Sequence, residues 1–145
     1  MASRFCLRLV NLIKHEIRTK LEQIVQNPRR QPINLESKNQ DLIENGIIMP
    51  GRSPWNSLLV IVPKKDGSIR MCLDFRKLNE QIEKFSYPVS DIQAFLDSLN
   101  GAIVFSMIDF GEAYYQVELK EDSKLKTAFS MRAEPFCFYG LSFGL

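Results

Sequence analysis

Phe105-Ser106-Met107-Ile108-Asp109-Phe110-Gly111 is an apolar run that ends in one carboxylate. With Ala102, Ile103 and Val104 in front of it, the run predicts a buried strand over 102–108, suited to the middle of a sheet. A carboxylate at the end of a rigid strand cannot drift, which suits it to fixing a divalent metal. An Asp that caps a strand-to-helix turn is nevertheless the commoner use of the pattern. The meaning of Asp109 therefore depends on its neighbours along the chain.

Upstream, Ser90 and Gln93 cap a short helix after Pro88; Ile92, Phe95, Leu96 and Leu99 form its apolar face and Gly101 stops it. Leu58–Val62 and Ile69–Leu73 read as two β-prone runs around the turn Lys64-Lys65-Asp66-Gly67, a hairpin signal. Cations on such a tip, with Arg70 on the returning strand, can clamp a triphosphate, although Lys at an exposed turn is ordinary. Ser37 with Gln40 starts a helix that Asn45-Gly46 ends in left-handed geometry. Phe5, Leu9, Leu12, Ile13, Leu21 and Ile24 recur at helical spacing and predict an amphipathic helix over 1–26, followed by an extended basic connector, Asn27-Pro28-Arg29-Arg30-Gln31-Pro32. Downstream, Tyr114-Tyr115 read as half-buried aromatics, Glu121-Asp122 as a polar turn, and Gln116–Leu119, Thr127–Met131 and Phe136–Tyr139 as short strands.

Composition narrows the classes. The chain has 145 residues, 45% of them apolar, enough for one domain with a core. Net charge is only +2, but residues 1–32 carry seven Lys/Arg against two acids, and the rest carries twelve against fifteen. Such a basic leader fits nucleic-acid contact and a solvated tail equally well. Cys6, Cys72 and Cys137 form no C-x-x-C pair and His15 is the one histidine, which argues against an ordinary zinc site and against Ser-His or Cys-His catalysis. Cys72 and Cys137 read as small core residues, and reduced thiols fit an intracellular, cytoplasmic setting. No stretch approaches the ~20 apolar residues of a membrane span.

Taken in order and spacing, these features join a longer series: Ile47-Ile48-Met49-Pro50, Ser53-Pro54-Trp55-Asn56-Ser57, Val62-Pro63-Lys64-Lys65-Asp66-Gly67, Arg70, Asp74-Phe75-Arg76-Lys77-Leu78-Asn79, Tyr87-Pro88, Phe105-Ser106, Asp109, Tyr114, Gln116, Lys126-Thr127-Ala128-Phe129 and Phe143-Gly144-Leu145. The series closely resembles the reverse transcriptases, RNA-directed DNA polymerases, of gypsy-like LTR retrotransposon Pol polyproteins. It covers 35–145. Upstream, His15, Ile17, Thr19 and Pro28-Arg29-Arg30 resemble the segment between protease and polymerase, which implies an extended lead-in where periodicity suggests a helix.

The resemblance implies an α+β, right-hand polymerase fragment of fingers plus the first part of the palm, built of antiparallel hairpins and short helices. Residues 1–34 would be a basic lead-in and 35–145 a truncated reverse transcriptase domain. By the same resemblance, Asp109 matches the first of three palm carboxylates that bind two Mg2+ ions, with the backbone carbonyl of Phe110 assisting. Lys64 and Arg70 match the grip on the incoming dNTP, and the amides of Glu112 and Ala113 match phosphate contacts. Tyr114 matches an aromatic gate that would collide with a ribose 2′-hydroxyl, and Phe143 a contact near the sugar. Arg29, Arg30 and Lys65 would touch nucleic acid weakly. Implied partners are an RNA or DNA template-primer, dNTPs and the remainder of the Pol polyprotein, with no membrane and with non-specific self-association. Glu134, Cys137 and Ser142 depart from the family's usual Gly, Glu and Pro, and Glu112-Ala113 from its Ser-Gly. The other two carboxylates belong to a Tyr-x-Asp-Asp hairpin expected beyond Leu145, so the expectation is a chain without polymerase activity by itself. The alternatives are a non-catalytic nucleic-acid-binding or interaction fragment and a non-functional retrotransposon remnant.

Overall fold

The computed structural model describes residues 10–20, 23–28, 36–63, 69–86, 88 and 91–145. The elements are β1 (Val10–His15), α1 (Glu36–Glu44), β2 (Ile48–Pro50), β3 (Leu58–Pro63), β4 (Ile69–Asp74), α2 (Arg76–Gln81), α3 (Ile92–Ser98), a 3-10 turn (Ala113–Gln116), β5 (Val117–Leu119), α4 (Glu121–Lys126), β6 (Phe129–Met131) and β7 (Glu134–Phe138).

The expected hairpin is present. β3 and β4 pair antiparallel from Leu58↔Asp74 to Pro63↔Ile69. Alternation puts Leu59, Ile61, Met71 and Leu73 on the face that meets the core, leaving Arg70 and Cys72 on the other. β2, β7 and β6 form an antiparallel sheet in that order. Ile48, Leu59, Phe75, Leu78, Phe129, Met131, Phe136 and Phe138 close the core between this sheet, the hairpin and α2. Cys137 is fully buried, and burial pushes its thiol up to about 11, as an inert core residue requires. α2 was not evident from periodicity, because Leu78 is its one buried residue. The Asp74 carboxylate starts it instead, accepting from the Arg76 amide at 3.1 Å and pairing with the Arg76 guanidinium at 2.6 Å.

Four expectations need correction. Residues 10–20 are extended, not helical, and β1 runs parallel to β5. A helix here would bury one stripe; the extended chain instead gives its backbone groups to the start of α4 and to the segment after α2. The His15 carbonyl accepts from the Lys120 amide at 2.9 Å, the Ile17 amide donates to Ser123 Oγ at 2.9 Å, and Glu83 N donates to the Arg18 carbonyl at 2.9 Å. Tertiary hydrogen bonding thus overrides local periodicity, while Leu12 and Ile13 stay in solvent.

The second correction concerns 102–108, which is no strand. Every residue there is exposed, Ile103 at 94% and Met107 at 95%, and no described strand lies beside it to take its hydrogen bonds. The third is Glu121-Asp122, which opens α4 rather than a turn, with acids at the positive end of the helix and Lys124 and Lys126 at the other. The fourth concerns caps. Asp91, not Ser90, caps α3 by accepting from Gln93 N at 3.1 Å, and α1 begins at Glu36, ahead of Ser37. Gly46, at φ +67°, ends the α1 turn as expected. Arg29, Arg30, Lys64, Lys65, Asp66, Gly67, Tyr87 and Ser90 lie outside the described residues.

Candidate functional site

The site is built on the turn between the apolar run and β5. Glu112 takes a left-handed backbone, φ +53°, which reverses the chain into the 3-10 turn. Two hydrogen bonds hold the reversal: the Tyr115 amide donates to the Glu112 carbonyl at 3.1 Å, and Gln116 Nε2 donates to the Gly111 carbonyl at 2.8 Å. Tyr114 and Tyr115 leave the turn in different surroundings. Tyr115 is partly buried, stacked on the core ring of Phe138 at 6.0 Å and 3°. Burial pushes its phenol up to about 12, with the nearby Glu112 and Cys72 adding to the shift. Tyr114 is 50% exposed and presents its ring at the surface.

Phe143 meets both tyrosines edge-on, with centroids 5.0 Å from Tyr114 and 5.2 Å from Tyr115. Two of the sequence-derived site residues, Tyr114 and Phe143, therefore form one aromatic corner, backed by Tyr115 and Phe138. Gly140 makes this corner possible, since a Cβ there would run into the Tyr115 carbonyl. Glu112 and Ala113 lie next to the corner on the same turn.

The remaining site residues are placed less tightly. Arg70 is exposed on β4 and shares a face with Cys72, which sits close enough to Tyr115 to perturb it. Asp109 and Phe110 are exposed at the end of the irregular segment that leads into the turn. Among the described residues, no three His, Cys, Asp or Glu side chains converge. The described donors thus do not fit a pair of divalent cations: Asp109 offers one carboxylate and Phe110 one carbonyl, too little anionic charge for two such ions. Lys64 and Lys65 lie outside the described residues, as do Arg29 and Arg30.

Sequence reading missed Tyr115 as a support for the Phe143 ring, and it gave Asn79 no role. Asn79 Nδ2 donates to the Gly144 carbonyl at 2.7 Å, across 65 residues, a separation that no local spacing rule can detect.

Residues 62–145 match the protein family described as reverse transcriptase (RNA-dependent DNA polymerase). The chain is 37% identical over 143 residues to the retrovirus-related Pol polyprotein from transposon opus of Drosophila melanogaster, covering 92% of this chain and 14% of that one. It is 38% identical over 119 residues to the Pol polyprotein from transposon gypsy of the same organism, covering 78% and 11%. It therefore spans about a seventh or less of the length of these relatives. Among solved structures, prototype foamy virus protease-reverse transcriptase superimposes with a TM-score of 0.76 at 22% identity, over 94% of this chain and 19% of that one. The foamy viral protein in complex with RNA/DNA hybrid gives 0.75 at 18%, over 96% and 19%.

Proposed function

The chain belongs to the reverse transcriptase family and has the α+β fold of a right-hand polymerase's fingers and adjoining palm, and from that premise we propose that it is the dNTP-binding portion of an RNA-directed DNA polymerase within a Pol polyprotein. The observation that carries the reading is the aromatic corner of Tyr114 and Phe143, half exposed on a pinned turn beside Glu112 and Ala113. A flat aromatic packed edge-on against a second ring, here Phe143 braced by Tyr115, can exclude a substituent by collision because its room to retreat is limited. Tyr114 in this role stands against the 2′-carbon of the incoming sugar, and a ribose hydroxyl has no room.

Phe143 contacts the sugar's edge. Lys64 and Arg70 grip the triphosphate, Arg70 with a planar fork and Lys64 as a point charge, and the amides of Glu112 and Ala113 donate to phosphate oxygens. Reverse transcriptases generally use a divalent metal, which supplies activation of the primer hydroxyl and neutralisation of the leaving pyrophosphate. Asp109 and the Phe110 carbonyl would contribute ligands to two Mg2+ ions only together with further carboxylates, since the described residues by themselves do not hold such a pair. Arg29, Arg30 and Lys65 add weak, sequence-independent contacts to the phosphates of an RNA or DNA template-primer. The domain proper is 35–145, with 1–34 its basic lead-in.

Isolated residues 1–145 should bind dTTP weakly and extend no primer. In a titration followed by NMR, dTTP should shift the resonances of Tyr114, Phe143 and Arg70, UTP should bind more weakly, and Arg70→Ala should abolish the shifts. Binding of dTTP that bypasses these residues would remove the proposed site and favour a non-catalytic nucleic-acid-binding role. Primer extension above background, abolished by Asp109→Asn, would overturn the expected inactivity.

A further inference from the structure

Asn79 is the polar residue of α2 that ties the two ends of the site together. Its helix is fixed by Asp74 and Arg76 at the N-terminus, and its own amide donates to the Phe75 carbonyl at 2.7 Å. The side chain then reaches out of the helix to the Gly144 carbonyl, 2.7 Å away. The other side-chain atom, Oδ1, is shielded from solvent and has no donor among the described residues. A shielded acceptor without a donor is destabilising, so the pose is held by the Nδ2 bond to the Gly144 carbonyl and not by Oδ1. The Gly144 carbonyl also fixes the orientation of the amide, because the reverse orientation would set oxygen against oxygen.

The bond holds a particular piece of chain. Gly144 has φ +94°, a backbone that side chains rarely adopt, and a Cβ built there would reach van der Waals contact with the Leu73 carbonyl and the Phe75 ring. It closes a tight turn in which Leu145 N donates to the Ser142 carbonyl at 3.4 Å. Phe143 projects from that turn and is itself 49% exposed, so solvent-side packing does little to place it. Its position comes from the turn on one side and from Tyr114 and Tyr115 on the other. A sequence of contacts therefore runs from Asn79 through Gly144 and Phe143 to the ring of Tyr114.

We infer that Asn79 is a positioning residue for the Tyr114 gate, setting through the Gly144 carbonyl and the Phe143 ring how firmly the corner excludes a 2′-hydroxyl. The inference rests on the gate reading of Tyr114 proposed above. Asn79 need not touch the nucleotide; without its tether Phe143 swings outward, Tyr114 gains room to tilt, and ribonucleotides are admitted. Binding of the triphosphate, which depends on Lys64 and Arg70, is largely untouched. The signature is therefore a change in sugar preference with little change in dTTP affinity.

The test uses residues 1–145 with Asn79→Ala, Asn79→Asp and the control Lys77→Ala, an exposed position on the same helix, each read in two ways. The first reading is the nuclear Overhauser contact between the Tyr114 and Phe143 rings, with the Tyr115–Phe138 contact as the internal standard of folding. The second is the preference for dTTP over UTP from resonance titration. Asn79→Asp keeps the shape and replaces the donor by an acceptor, so it decides the matter if Asn79→Ala does not fold. Expected for Asn79→Asp are a lost or weakened Tyr114–Phe143 contact, an intact Tyr115–Phe138 contact, and a preference reduced about tenfold. Lys77→Ala should change neither. A Tyr114–Phe143 contact retained at full intensity in folded Asn79→Asp overturns the inference, as does a lost contact with unchanged preference. Absence of any preference in the unaltered chain would instead sink the gate reading, and the ring contact would then decide on its own whether Asn79 positions the corner.

Discussion

Thr127 is fully buried between α4 and β7, and its hydroxyl is used twice. Oγ1 donates to the Lys124 carbonyl at 2.6 Å and accepts from the Phe138 amide at 3.0 Å. Thr127→Val keeps the shape but strands the Phe138 N–H inside the core, and should cost about 1–3 kcal/mol in urea unfolding at neutral pH. A loss under ~0.5 kcal/mol would mean that the amide finds another acceptor. Lys124, one turn earlier, shows the same economy with charge. Burial alone would lower its pKa, but Glu121 at 2.7 Å and Glu118 at 3.2 Å outweigh that and raise it, and the ammonium also lies 5.2 Å above the Tyr139 ring. Gly140→Ala, by contrast, forces backbone apart at Tyr115, so it should weaken the Tyr114–Phe143 ring contact as well as lower stability. The bonds to Glu121 and to the Lys124 carbonyl are local helix contacts, whereas the Phe138 amide, the Tyr139 ring and the Tyr115 carbonyl are brought in only by the fold.

β1 is attached to the body by ion pairs as well as backbone bonds: Lys14 meets Glu118 at 2.9 Å and Lys120 meets Glu16 at 2.8 Å. Lys120 holds the Glu16 carboxyl below its ordinary 4.5, first by hydrogen bonding and then by charge. The Glu118 carboxyl is likewise lowered, by hydrogen bonds from Lys14 and then Lys124. A depressed carboxylate contributes its full stabilisation above the unfolded value and loses it as pH falls through the lower folded one. Acidification below pH 4.5 should therefore loosen β1 before the β2-β7-β6 sheet, and added salt should do so mildly at neutral pH. Amide exchange checks this, with Lys120, bonded to the His15 carbonyl, losing protection before Tyr139, bonded to the Ile47 carbonyl. Equal loss at both would mean that β1 and the sheet open together. The hairpin β3-β4 was legible because its turn and both runs are local, whereas β1 was misread because its partners lie about 100 residues away.

At the scale of the whole molecule, the family resemblance supplied the fold class and the structure sets Tyr114 and Phe143 in ring contact, while the main error concerned 102–108, where a strand-like pattern has no described strand beside it. A strand is a property of a pair, and period or β-propensity registers only one member. The result is a surface with an unusual distribution of apolar side chains. Ile103, Val104, Phe105, Met107, Ile108 and Phe110 are all at least 65% exposed, and Ile92, Phe95 and Leu96 on α3 are at least 53%. Exposed apolar surface on this scale, on a segment that pairs with no strand among the described residues, favours association over a dispersed monomer. Light scattering on residues 1–145 should show a mass that rises with concentration, and amides 102–108 should exchange rapidly in dilute samples. The paired substitution Ile103→Lys and Met107→Lys separates this cause from general instability. Neither side chain is buried, so thermal stability should stay within about 0.5 kcal/mol while the association weakens. Unchanged association with unchanged stability would move the contact elsewhere, to Leu12 and Ile13 on β1, which are also exposed. Unfolding of the double variant would show that 102–108 packs more closely in solution than its exposed position here implies.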